Sequence, residues 1–237
     1  MDYKDPVNVR AISPEEVEEL QRSFVTRVYG WMAAGLLITG ICSLATVQSQ
    51  ALLELIFANR FVYLGLIIAQ LGLVVWLSAR LAAMSAMTAT LVFIAYAALT
   101  GVTLGAVFLL YTLSSIASTF FVTAGTFGCM SVYGLVTRRD LSGWGSFLMM
   151  GLIGMIIASF VNLFWHNEML YWITSYIGIF IFVGLTAYDT QKIKAMSVVA
   201  AEGGEMEQKG AIMGALRLYL DFINLFLLLL RIFGKRR

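Results

Sequence analysis

Long apolar runs separated by short polar breaks organise nearly the whole chain. Seven segments reach the roughly 20 residues that a helix needs to cross hydrocarbon about 30 Å thick: 24–47, 61–79, 87–110, 116–136, 144–164, 170–189 and 211–233. The breaks are short except after the sixth segment, which predicts an all-α, polytopic membrane protein built as one bundle of antiparallel neighbours. Residues 1–23 then form a polar N-terminal segment, 24–233 the seven-helix transmembrane domain, and 234–237 a short basic tail. Ser13, followed three residues later by Glu16, has the spacing of a capping box and predicts a short surface helix leading into the first span. Tyr63, Trp76, Trp144, Trp165, Tyr171 and Trp172 lie near proposed span ends, where amphipathic rings favour the headgroup level.

Composition agrees with the pattern and excludes the soluble alternatives. Of 237 residues, 60% are hydrophobic and 13% charged, and the mean hydropathy is +0.85; a soluble domain of this size lacks the polar residues to cover such a surface. A net charge of +2 is too mild for nucleic-acid binding, and no basic run carries interleaved aromatics, so the partner is the lipid bilayer and not a nucleic acid. The N-terminus carries acids where a secretory signal would carry an apolar core. Cys42 and Cys129 fall in apolar segments without metal-type spacing and read as small buried residues.

The distribution of lysine and arginine sets an orientation. With seven spans, one side carries Lys4, Arg10, Arg22, Arg80, Arg138, Arg139, Lys192, Lys194 and Lys209, whereas the opposite loops carry Arg60 alone. The positive-inside tendency therefore predicts a cytoplasmic N-terminus, with the tail Lys235, Arg236 and Arg237 as the counter-signal on the far side. Gly101 with Gly105, and Gly210 with Gly214, are small-xxx-small pairs that let membrane helices approach closely.

Two acids carry the candidate chemistry. Asp189 closes the sixth apolar segment, and Asp221 lies about ten residues into the seventh, or about 15 Å deep. A carboxylate near mid-membrane costs about 2.5 to 3.5 kcal/mol to insert, so it needs a partner, water or a proton. If the sixth helix continues through Lys192 and Lys194, the two acids meet on neighbouring antiparallel helices, share one proton and titrate as a unit. The plainer reading has Asp189 as a solvated helix-end residue and Asp221 paired with Arg217, four residues earlier on the same helix face. Arg80 is a further partner if it snorkels back from the end of the second span. His166, the only histidine, sits in a short loop and reads as solvated; Glu54 and Glu168 read as loop residues with a weak pull on cations. No nucleophile-and-base constellation, phosphate loop or multi-histidine metal site is present, and no lysine lies mid-span for a retinal Schiff base, so the sequence predicts neither an enzyme nor a resident cofactor.

The runs LYLDFINLFLLLLRIFG at 218–234 and AYDTQKIK at 187–194 resemble the signature of the Bax inhibitor-one (TMBIM) family, and the seven-span pattern fits a bacterial-type member over the whole chain. The resemblance implies a bundle with the last helix central, ringed by the other six, acting as a pH-dependent calcium leak. It also implies that Asp189 and Asp221 form the pH sensor and gate, holding calcium only weakly and transiently, and that an arginine at the end of the second span, here Arg80, latches Asp189. The short tail and the absence of a secretory signal fit a bacterial inner-membrane member better than one of the endoplasmic reticulum. Two other functions fit the same residues: an interaction protein that regulates a membrane protease or cell survival through its acidic N-terminal segment, and a proton-coupled transporter using the acid pair.

Overall fold

A computed structural model describes residues 13–199 and 204–237. Eight α-helices and no β-strand are found among them: α1 (Pro14–Gln48), α2 (Gln50–Phe57), α3 (Arg60–Arg80), α4 (Ala86–Leu110), α5 (Leu113–Val136), α6 (Ser142–Trp165), α7 (Glu168–Val199) and α8 (Glu205–Phe233), with a single 3-10 turn at Leu81–Ala83. All but the eight-residue α2 are long and apolar enough to cross a membrane, so the protein is a polytopic bundle of seven spans.

Helix starts follow local chemistry. Ser13 Oγ accepts from the Glu16 amide at 3.2 Å while the Glu16 carboxylate accepts from the Ser13 amide at 2.9 Å, closing the capping box and satisfying two amides that the first turn leaves without partners. The helix so opened does not stop at the membrane surface. It runs 35 residues without a break, about 52 Å, because nothing between Gln21 and Phe24 breaks a helix; the separate surface helix expected from the sequence is the outer end of the first span. Lys4, Arg10 and the first 12 residues generally lie outside the described residues. Ser49, Asn59, Ser85 and Thr112 cap α2, α3, α4 and α5 through their side-chain oxygens.

The core is organised around α8, whose middle and end are lined with buried residues, whereas α3 and α6 bury almost none. α8 packs principally on α1, α4, α5 and α7. The last helix is therefore central, but its surround is uneven: α3 leans on α4 and α6 on α7 as an outer layer. Close approach of α1 and α4 depends on Gly101, where a Cβ would lie 2.6 Å from the Cys42 Cβ and 2.5 Å from the Thr39 carbonyl oxygen. Behind that contact, Tyr219 of α8 is fully buried, its hydroxyl 2.6 Å from Thr39 Oγ1. Cys42 is half-buried and Cys129 exposed, because Cys129 points away from α7 and α8 on the outer side of α5; only the first approaches the buried position expected of both.

Both ends of α8 are tied. Near its start, Glu205 accepts from the Ala86 amide at 3.0 Å and from Lys209 at 3.2 Å, and Arg27 meets Glu207 at 3.3 Å. At its finish the chain turns back on the α4–α5 connection: the Thr112 amide donates to the Lys235 carbonyl at 3.1 Å, the Arg237 amide to the Leu110 carbonyl at 3.0 Å, and the Lys235 amide to Ser115 Oγ at 3.0 Å. The short basic tail thus makes a β-bridge between Tyr111 and Arg236.

Candidate functional site

Asp189 does not end its helix. α7 continues ten residues further, to Val199, so the condition for the two acids to meet is satisfied. Asp189 is 7% exposed and Asp221 4%, and they lie on helices that pack on each other, close enough for the two carboxyls to act on one another electrostatically. Arg217, one turn before Asp221 on α8, reaches across to α7 and places Nη1 3.4 Å from Asp189 Oδ1. It also acts electrostatically on Asp221. The i,i+4 pairing of Arg217 with Asp221 is therefore replaced by an interhelical ion pair: the guanidinium leaves its own helix face for the carboxylate that is nearer to water. Asp221 Oδ2 is buried and has no hydrogen-bond partner among the described residues.

Other charged and polar groups frame the pair. Lys192, one turn beyond Asp189 on α7, acts on it electrostatically and stands over the Tyr188 ring at 5.6 Å. Tyr29 of α1 meets Thr190 at 3.2 Å, and Lys194 donates to the Leu135 carbonyl of α5 at 2.8 Å. Lys192 and Lys194 are thus helical residues, not members of a loop. Arg80 is exposed at the end of α3 and forms no ion pair among the described residues; the arginine that meets Asp189 is Arg217. Among the described residues no three acids, histidines or cysteines cluster tightly enough to hold a metal ion.

About 15 Å further along α8, Arg231 donates to Ser175 Oγ at 3.1 Å and stacks on Tyr171 at 4.5 Å from the ring centre. Arg231, Tyr171, Glu168 and His166 line an open polar cavity of about 450 Å³ at that end. His166 ends α6 in a left-handed conformation, φ 50°, and is exposed. Glu168 opens α7 and Glu54 lies within α2, bonded to Gln50, so neither acid is in a loop. Reading the sequence missed Tyr219, Thr39 and Ser175; the available signal was a hydroxyl placed inside an otherwise apolar run.

The comparisons agree with this architecture. Residues 21–237 match the profile of a family described as inhibitor of apoptosis-promoting Bax1. The chain is 54% identical over 217 residues to the inner membrane protein YbhL of Escherichia coli, covering 91% of this chain and 93% of that one. It is 46% identical over 218 residues to an uncharacterized protein of Borreliella burgdorferi, covering 92% and 94%, and 47% identical over 222 residues to one of Rickettsia prowazekii, covering 93% and 92%. With its seven spans and matching length, the chain belongs to the Bax inhibitor-1 family.

Proposed function

We propose that the protein is a pH-dependent calcium leak of a bacterial inner membrane, its N-terminus cytoplasmic, in which Asp189, Asp221 and Arg217 form the gate. The observation that carries this reading is two buried carboxyls on packed neighbouring helices served by one arginine, which contacts Asp189. Two carboxylates cannot hydrogen-bond to each other, and burial penalises any net charge. One proton held on the pair meets both problems: it lets one carboxyl donate to the other, and the remaining carboxylate balances Arg217.

The sign of the pH response follows. A further proton removes the charge that Arg217 pairs with, leaving the guanidinium uncompensated. The closed packing stabilised by this ion pair is lost as pH falls, Arg217 swings toward water, and α8 shifts against α7. The second-span arginine, Arg80, has no part in this latch. Calcium is cargo here and not a resident ligand, since it wants six to eight oxygens and two carboxyls cannot supply them; it is attracted and released. The bilayer and the calcium ion are then the partners, and no catalysis is required.

Calcium entry into dye-loaded liposomes holding the purified chain, scanned across pH, tests the reading. Flux that rises in acid, and is altered by Asp189→Asn or Asp221→Asn, is expected; flux no greater than that of empty liposomes at every pH would sink it. One observation favours a second reading, binding to a membrane protease: Glu15, Glu18 and Glu19 are exposed together at the outer end of α1. Deleting residues 1–21 would then abolish a co-purifying partner while leaving ion flux intact.

A further inference from the structure

Two neighbouring cavities lie where α5 ends and α6 begins, on the face of α7 that carries Ala187, Tyr188 and Lys192, residues that flank Asp189. α5 and α6 are consecutive and joined by a five-residue connection, yet each packs on α7 and they meet each other little. The gap between them is a groove of about 520 Å³, floored by Val183, Gly184 and Ala187 of α7 and flanked by Tyr133 and Phe147. Its floor is set by small residues: a Cβ on Gly184 would come 2.7 Å from Leu148 Cδ1, and Gly145 lies flat against the Tyr188 ring. From Phe180 to Tyr188 the groove extends about 12 Å along α7, close to the roughly 15 Å depth of one leaflet.

At the groove's mouth a polar cavity of about 370 Å³ is lined by Arg138, Arg139, Asp140 and Lys192. The connection that carries these residues is built rigidly onto α7. The Leu141 amide donates to Gln191 Oε1 at 2.9 Å, and Gln191 Nε2 donates to the Arg139 carbonyl at 2.8 Å. Asp140 is engaged as well, accepting from the Ser142 amide at 2.9 Å. Arg138, Arg139 and Lys192 make no ion pair within 4 Å among the described residues; the cavity's own acid, Asp140, is already occupied, and Asp189 one turn away acts on Lys192 without contacting it, so the cavity keeps an excess of positive charge.

We propose that this site binds one anionic phospholipid, with its phosphate among Arg138, Arg139 and Lys192 and one acyl chain in the α5–α6 groove. Any lipid-facing surface is covered by lipid. What selects an anionic headgroup is an apolar recess of leaflet depth opening under a fixed cluster in which three cations outnumber the one acid of the cavity.

The test uses the full chain in mild detergent, titrated with phosphatidylglycerol, phosphatidylethanolamine or inorganic phosphate and read by native mass spectrometry. Phosphatidylglycerol is expected to be retained at least ten-fold better than phosphatidylethanolamine, since each nearby cation favours an anionic headgroup several-fold. The combined variant Arg138→Gln, Arg139→Gln, Lys192→Gln is expected to erase that preference, and Val183→Trp, which fills the groove without changing charge, to lower retention of both lipids. An unchanged unfolding temperature shows that each variant is folded; if Val183→Trp is not, the charge variant decides alone. Equal retention of the two lipids by the native chain, or an undiminished preference in the charge variant, overturns the proposal. So does displacement of the lipid by inorganic phosphate together with indifference to Val183→Trp, which would assign the cluster to free anions.

Discussion

Replacing Arg217 with glutamine inverts the pH dependence of the leak, if charge balance at the acid pair is what closes it. In the native chain the guanidinium lies 3.4 Å from Asp189 Oδ1, and Arg217 together with the acid pair holding one proton carries no net charge. Without Arg217, the same protonation state leaves one negative charge buried, and a further proton restores neutrality instead of destroying it. The variant is therefore expected to leak at neutral pH and to close in acid, opposite to the native chain. A hydrogen bond between charged partners is worth about 1.5 to 3 kcal/mol. The Arg217 side chain is 36% exposed, and solvent screening reduces this to about 1 to 2 kcal/mol. That converts to a shift of about five- to thirty-fold in the closed-to-open ratio, large enough to read in liposome calcium flux at pH 5.5 and 7.5. An Arg217→Gln variant whose flux still rises on acidification would refute the charge-balance reasoning, whatever its absolute leak.

Three further outcomes are expected. Tyr219→Phe removes the 2.6 Å contact with Thr39 while Thr39 keeps its bonds to the Gly35 and Ala97 carbonyls, and should cost about 1 kcal/mol; an unchanged unfolding temperature in detergent would contradict that role. Gly101→Ala should destabilise by about 1 to 3 kcal/mol through overpacking against α1, whereas Gly125→Ala, with open space around it, should leave stability unchanged or raised, and equal effects at the two sites would refute the packing account. Asp140, outside the spans, has its carboxyl held below the usual aspartate range by hydrogen bonds from Ser142, so its support of the α6 start is present above that range and lost as pH falls through and below it; hydrogen exchange at the Ser142 amide should quicken there in the native chain and show no such step in Asp140→Asn.

The spans were legible because lipid imposes a length and a polarity on every crossing helix, and short connections leave few ways to arrange them. The ends were less legible. The polar residues before Phe24 contain no helix breaker, and those after Asp189 remain compatible with a helix, so α1 and α7 outrun their apolar segments. The acid pair could be found because ionisable groups are expensive inside a membrane. The partner of Arg217 could not: spacing along one helix identifies a neighbour four residues away, but a long side chain at a helix contact chooses among acceptors on both helices. The bonds of the short basic tail were not legible either, since they are made by its backbone, to Leu110 and Thr112, and not by the lysine and arginine side chains that mark it in the sequence.

Those bonds bear on how the central helix can move. A helix followed at once by residues whose backbone is stitched to the α4–α5 connection has a fixed pivot there, and the ion pairs at Glu205 and Glu207, partly open to solvent, are the weaker restraint. α8 is then a pendulum and not a piston. Asp221 hangs about 18 Å from the pivot and Glu205 about 42 Å, so a small swing at the acids more than doubles by the time it reaches the start of α8. Cutting the stitch would free the helix to slide, and the amplification would disappear.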